Sequence, residues 1–109
     1  MFKTLDEFKK AHPEVKRFVH VDLTGYGIVV FRFPKFKEYA SWRKKQSFSK
    51  NDVEIDFEAA HELITSLCVT HPEDIESIVD DYPLLVERML GTITRSMTSE
   101  FDETKKNST

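Results

Sequence analysis

The chain has one cysteine, three glycines and four prolines among 109 residues. Nowhere does an apolar run approach the roughly 18 residues that span a bilayer. A single cysteine cannot close an internal disulfide, which sets aside the disulfide-stapled secreted scaffolds. Three glycines leave neither a G-x-G-x-x-G nor a P-loop pattern, so no backbone cradle for phosphate is encoded. No hydrophobic N-terminal stretch reads as a signal peptide. The expectation is a cytoplasmic protein with no membrane association.

What is abundant is apolar bulk and charge. The hydrophobic fraction is 39%, the charged fraction 32%, and nine Phe dominate the 12% aromatic content. That is too much bulky side chain for a disordered chain and suits one globular core with a solvated surface. The net charge of −3 conceals an asymmetry. Residues 1–50 carry 12 Lys/Arg against 5 Asp/Glu (+7), and residues 51–109 carry 4 against 14 (−10). Such a split fits a basic face for phosphate, two halves attracting within one fold, or copies associating through opposite-charge halves. In so small a domain the last two readings are favoured over nucleic acid.

Thr4-Leu5-Asp6-Glu7 matches a capping box, predicting a short helix to about Ala11 with Phe2, Leu5 and Phe8 as its apolar stripe. Val15 to Leu23 and Ile28 to Phe33 are rich in β-branched and aromatic residues around Thr24-Gly25-Tyr26-Gly27, a β-hairpin signal. A two- or four-residue loop places Leu23 opposite Ile28. Val19, Val21 and Leu23 then share a face with Ile28 and Val30, while Phe18 and His20 share the other with Phe31 and Phe33. Helices or a partner must cover at least part of each face. Pro34 fits the first turn of a helix to about Gln46, with Phe36 and Tyr39 packing on the hairpin. Ser47 to Asp52 reads as a linker, and Val53, Ile55 and Phe57 alternate as a third short strand would.

From Phe57 the period becomes helical, with Ala60, Leu63, Ile64, Leu67 and Cys68 on one stripe and Asp56 as N-cap. Pro72 ends that helix and opens another carrying Ile75, Ile78 and Val79. Pro83 begins the last, with Leu85, Val86, Met89, Leu90, Ile93 and Met97 inward. Gly91 lies inside that pattern, where a close backbone crossing is the simplest reason to keep it. The predicted class is α+β: an antiparallel hairpin, with room for a third short strand, packed against four or five helices. Residues 1–97 form the single domain, and residues 98–109 a polar, disordered tail.

Chemical motifs fail on their spacing. His61-Glu62-Leu63-Ile64-Thr65 begins like a zinc-protease helix, but Thr65 stands where a second His is needed. Cys68-Val69-Thr70-His71 has no second Cys to complete a metal shell, and Cys68 falls on an inner face without a Gly-rich oxyanion turn. Glu73-Asp74 and Asp80-Asp81 are explained as acids at helix N-termini. No catalytic residue, metal or cofactor is expected. The one constellation of interest is Lys35 to Lys45, where basic residues interleave with Phe36, Tyr39 and Trp42. Basic residues among aromatics could track a phosphate backbone while stacking bases. The reading preferred here makes Tyr39, Trp42 and Arg43 anchors for a protein partner.

In order, this layout resembles the tail assembly chaperones of tailed bacteriophages over about residues 15 to 95. The resemblance lies in a strand ending at Arg32-Phe33-Pro34, a following helix with Tyr39 and Trp42, and the junctions Cys68-Val69-Thr70-His71-Pro72 and Tyr82-Pro83. It implies a non-enzymatic protein that binds the tape-measure protein, a long helical client, and assists tail-tube assembly. Alternatives are a small nucleic-acid-binding accessory protein using its basic N-terminal half, or a structural subunit of the virion.

Overall fold

A computed structural model of the protein describes residues 1–48, 53–54 and 56–107, with main chain alone at 47–48, 53–54 and 102–107. The first and third helices start where their caps place them, whereas the second, fourth and fifth each begin two or three residues after the proline expected to open them. Helix α1 (Leu5–Ala11) is capped by Thr4, whose Oγ1 accepts from the Glu7 N–H at 3.2 Å. The Glu7 carboxylate reaches back one residue further than expected, to the Lys3 N–H at 3.0 Å. Helix α2 spans Phe36–Lys45, leaving Pro34 ahead of its Lys35 N-cap. Helix α3 (Phe57–Leu67) is capped by the Asp56 carboxylate, which accepts from the Ala59 N–H at 3.0 Å. Helix α4 (Ile75–Asp81) begins three residues after Pro72, and α5 runs Leu85–Asn107.

Strands β1 (Phe18–Leu23) and β2 (Gly27–Arg32) form the antiparallel hairpin. Its register differs from the sequence expectation by one residue: Leu23 pairs with Gly27, and Asp22 with Ile28. The loop is Thr24-Gly25-Tyr26, closed by the Tyr26 N–H on the Leu23 carbonyl at 2.9 Å. Gly25 and Gly27 both take positive φ, +89° and +74°, the backbone a three-residue hairpin loop requires at its glycines. Because side chains alternate along a strand, the slip exchanges the faces of β2. Val29 and Phe31, not Ile28 and Val30, lie with Val19, Val21 and Leu23.

Both faces are covered, as their apolar character requires. Val19, Leu23, Val29 and Phe31 pack with the buried stripes of α3, α4 and α5, including Leu63, Ile64, Leu67, Ile78, Met89 and Ile93. Ile28 and Val30 pack beneath Phe8 of α1, with Phe2, Leu5, Val15 and Phe18 around them. The outer edge of β2 is closed by two segments. The Ile28 N–H donates to the Phe2 carbonyl at 2.8 Å, and the Val69 N–H to the Val30 carbonyl at 2.9 Å. Cys68 bridges to Phe31 there, and Thr70 Oγ1 accepts from the Val30 N–H at 3.1 Å.

The stretch that alternates from Val53 does carry a short strand, but it joins part of the expected linker rather than the hairpin. Val53–Glu54 (β4) pairs with Ser47–Phe48 (β3) in a separate two-residue ladder. Ile55 and linker residues 49–52 lie outside the described residues, and Phe57 is already helical. Two expectations in α5 also change. Gly91 has no backbone against it, since an added Cβ would meet only the Arg95 guanidinium at an ordinary 3.5 Å. The helix does not end with its apolar stripe at Met97. It continues to Asn107, and the Glu100 carboxylate accepts from the Arg17 guanidinium, with Nε at 2.9 Å. One further turn past Met97 brings Glu100 to the hairpin, where Arg17 also lies 5.3 Å from the Phe33 ring centroid. Ser108 and Thr109 lie outside the described residues.

Candidate partner-binding surface

Helix α2 is joined to the rest of the fold at its two ends. At its start, Arg32 on β2 donates to Glu38 from both terminal guanidinium nitrogens, Nη1 and Nη2, at 2.8 Å, and Glu38 also accepts from the Lys35 N–H at 2.9 Å. The Arg32 guanidinium holds the Glu38 carboxyl well below its ordinary range, down to about 2, against the opposing effect of partial burial. At its end, Gln46 is buried at 7% exposure, its side-chain oxygen accepting from the Asp56 N–H at 3.0 Å. Gln46 thereby connects the end of α2 to the cap of α3. Such a role depends on a contact ten residues away, and no local pattern signals it.

The Glu38 clamp has a measurable pH signature. Its carboxyl titrates lower in the folded chain than in the unfolded one, so its contribution is complete above the ordinary carboxylate range. That contribution disappears as pH falls toward about 2. Glu38→Gln is expected to lower stability at pH 7 by about 1–2 kcal/mol, allowing for solvent screening of a pair about one-third exposed. In urea titrations at stepped pH, the difference from wild type should narrow below about pH 4.5 and close near pH 2. A constant difference across that range would show that Glu38 acts by packing alone.

Between these ends, the anchors proposed from sequence separate. Tyr39 and Trp42 are half-buried with ring centroids 5.9 Å apart, and Trp42 packs against the main core. Arg43 is exposed. Phe36 does not pack on the hairpin. It is 82% exposed between Lys35 and Lys37, because the residues leading out of β2 turn the first helical position into solvent. Trp42 lines an open groove of about 330 Å³ between α2 and α3, whose walls include Lys37, Ser41, Lys45, Glu62 and Leu63. Its indole N–H is the one buried side-chain polar atom among the described residues that finds no acceptor. Buried donors ordinarily have partners, so an unpaired one asks for an explanation.

A second groove, of about 490 Å³ and mostly apolar, lies between β1 and the α4–α5 junction. Val21, Leu23, Tyr82 and Leu85 line it beside Leu84, which is 72% exposed. Sequence placed Leu84 next to a helix-starting proline without signalling that it faces outward. Nearby, the Tyr26 hydroxyl donates to Asp81, and His71 joins the Thr70 hydroxyl to the Tyr26 carbonyl at 2.8 and 3.1 Å. These contacts hold the hairpin turn against the following helices.

The charge split is partly satisfied within the fold. Arg17–Glu100 and Lys45–Glu62 each join the basic half to the acidic half. Burial pushes the Cys68 thiol up from its ordinary value, which disfavours the thiolate form that reacts. Among the described residues, no three His, Cys, Asp or Glu side chains converge as a metal site would require. No helix among them is long and apolar enough to cross a membrane. Compared with family models, curated proteins and solved structures, the chain finds no match in any of the three.

Proposed function

We propose that this chain is a non-enzymatic chaperone for a helical protein client, bound along α2 and the groove behind it. The observation that carries this reading is the open groove between α2 and α3, walled by Trp42 and Leu63 and rimmed by Lys37, Lys45 and Glu62. A client helix that packs on the Trp42 and Leu63 wall and offers charged groups to the rim fills what the free chain leaves open. On the family resemblance noted from sequence, the client is the tape-measure protein of a tailed phage, held soluble in the cytoplasm until the tail tube assembles. Copies of a small domain could coat such a client along its length.

Trp42→Phe tests the reading. Trp42→Ala is less informative, because the ring packs against the core and its removal would unfold the domain in any case. Phenylalanine keeps an aromatic ring against the core and loses two ring carbons together with an N–H that is unpaired in the free protein. Its melting temperature is therefore expected to stay within a few degrees of wild type. Affinity for the co-encoded tape-measure protein should fall by roughly 5- to 30-fold, the worth of about one or two kcal/mol of lost aromatic contact. Unchanged affinity would remove Trp42 from the site. Phe36, exposed among lysines, favours one competing reading, in which α2 binds nucleic acid by stacking and phosphate contacts. DNA affinity that falls steeply with salt, together with no client binding, would establish that reading instead.

A further inference from the structure

Strand β1 has one edge in the hairpin and one outside it. The Phe33 N–H donates to the Arg17 carbonyl at 3.1 Å, which fixes the ladder so that residues 17, 19, 21 and 23 point their main-chain groups toward β2. The N–H and C=O groups of Phe18, His20 and Asp22 therefore point outward. No hydrogen bond among the described residues reaches them. The far edge of β2, by contrast, is covered by Phe2 and residues 68–70. Natural sheets usually blunt a free edge with proline, a bulge or charges of one sign. This six-residue edge has no proline, and its ladder to β2 is regular throughout.

We propose that two copies of this chain pair antiparallel through the outer edges of β1, with Val19 on the two-fold axis. An isologous interface must be self-complementary, and the strand's own sequence meets that condition. Outward groups can bond only when even-numbered residues face even-numbered residues. The Val19-centred register satisfies this, setting Phe18 opposite the partner's His20; continued past the start of β1 at Phe18, it brings Lys16 to the partner's Asp22. Each copy thus contributes one aromatic pair and one opposite-charge pair, and the symmetry repeats both. Cross-strand pairs of these kinds are the ordinary stabilising units of a sheet. Lys16, His20 and Asp22 are exposed in the single chain and free to take these positions. The result is a continuous four-stranded antiparallel sheet. The pairing does not depend on client binding at α2, and it differs from a general attraction between basic and acidic halves because it names one strand and one register.

Sedimentation of the purified full chain over a concentration series, up to on the order of 1 mM, reads the outcome directly. The proposal expects a shift from 12.8 kDa to twice that mass. Asp22→Lys places like charges opposite each other twice in the dimer and should weaken it on the order of tenfold. The double variant Lys16→Asp with Asp22→Lys restores both pairs and should recover the dimer. His20→Pro removes an outward N–H while leaving every hairpin bond in place, and should abolish pairing in a chain that still folds by circular dichroism. If His20→Pro fails to fold, the charge swap alone decides. A monomer at every concentration, as expected of an edge reserved for another protein's extended segment, overturns the proposal. So does a dimer that is indifferent to the charge swap.

Discussion

Replacing Phe31 by alanine is expected to lower the unfolding free energy by about 3–5 kcal/mol, the largest effect of any single side chain considered. Phe31 is fully buried and lies opposite Val19 on the hairpin face that meets α3 and α5. Its main chain also bridges to Cys68. Truncation would leave a cavity at the junction of the sheet with three helices, where several neighbours would have to move together to fill it. A domain of this size has a total stability on the order of 5–15 kcal/mol, so the loss is a large share of it. Urea titration should show a lower midpoint with an unchanged slope. Phe31→Leu, which keeps most of the volume, should cost less than half as much. Equal losses for the two variants would mean that ring shape, not cavity volume, sets the cost.

Gly27→Ala is expected to be the second most damaging change, at about 2–4 kcal/mol. Two effects add at this position. The backbone φ is +74°, where an L side chain is strained by roughly 1–2 kcal/mol. An added Cβ would also stand 2.5 Å from the Phe2 carbonyl oxygen, which is main chain and cannot rotate away. That carbonyl accepts the Ile28 N–H, so relieving the clash breaks the bond that docks the N-terminal segment on β2. Gly25→Ala supplies the control. Its φ is +89°, but nothing lies within 4 Å of the added Cβ, so only the conformational strain of about 1–2 kcal/mol applies. Hydrogen exchange separates the two mechanisms. Gly27→Ala should speed exchange of the Ile28 amide, and Gly25→Ala should leave it near wild type.

How far the sequence determined this fold can be judged from particular elements. Caps and stripes were legible because they are local: Thr4 and Asp56 accept from backbone donors three residues on. Ala60, Leu63, Ile64 and Leu67 fall on one side of α3 by helical geometry alone. The existence of the hairpin, and so the α+β class, followed from two β-rich runs around a glycine-bearing turn. Its register did not. Alternation fixes register only when one face is apolar and the other polar, and β2 is buried on both faces from Ile28 to Phe31. Only the packed structure decides between loops of two, three and four residues, because the covering of α1 on one side and α3 to α5 on the other selects which β2 residues face each layer.

The candidate site divides the same way. The sequence placed aromatic and basic residues together on α2, but which ring is exposed depends on where the helix leans. The Arg32–Glu38 clamp and buried Gln46 set that lean, and they leave Phe36 in solvent and Trp42 against the core. The free edge of β1 is likewise a tertiary property. Nothing in residues 18–23 says which neighbour will be missing; it is settled by residues 68–70 and Phe2 covering the other side of the sheet. Capping and helical periodicity act within a few residues, and the sequence alone determined what depends on them. Contacts between distant segments compete for the same faces, and only the folded chain shows which of them prevails.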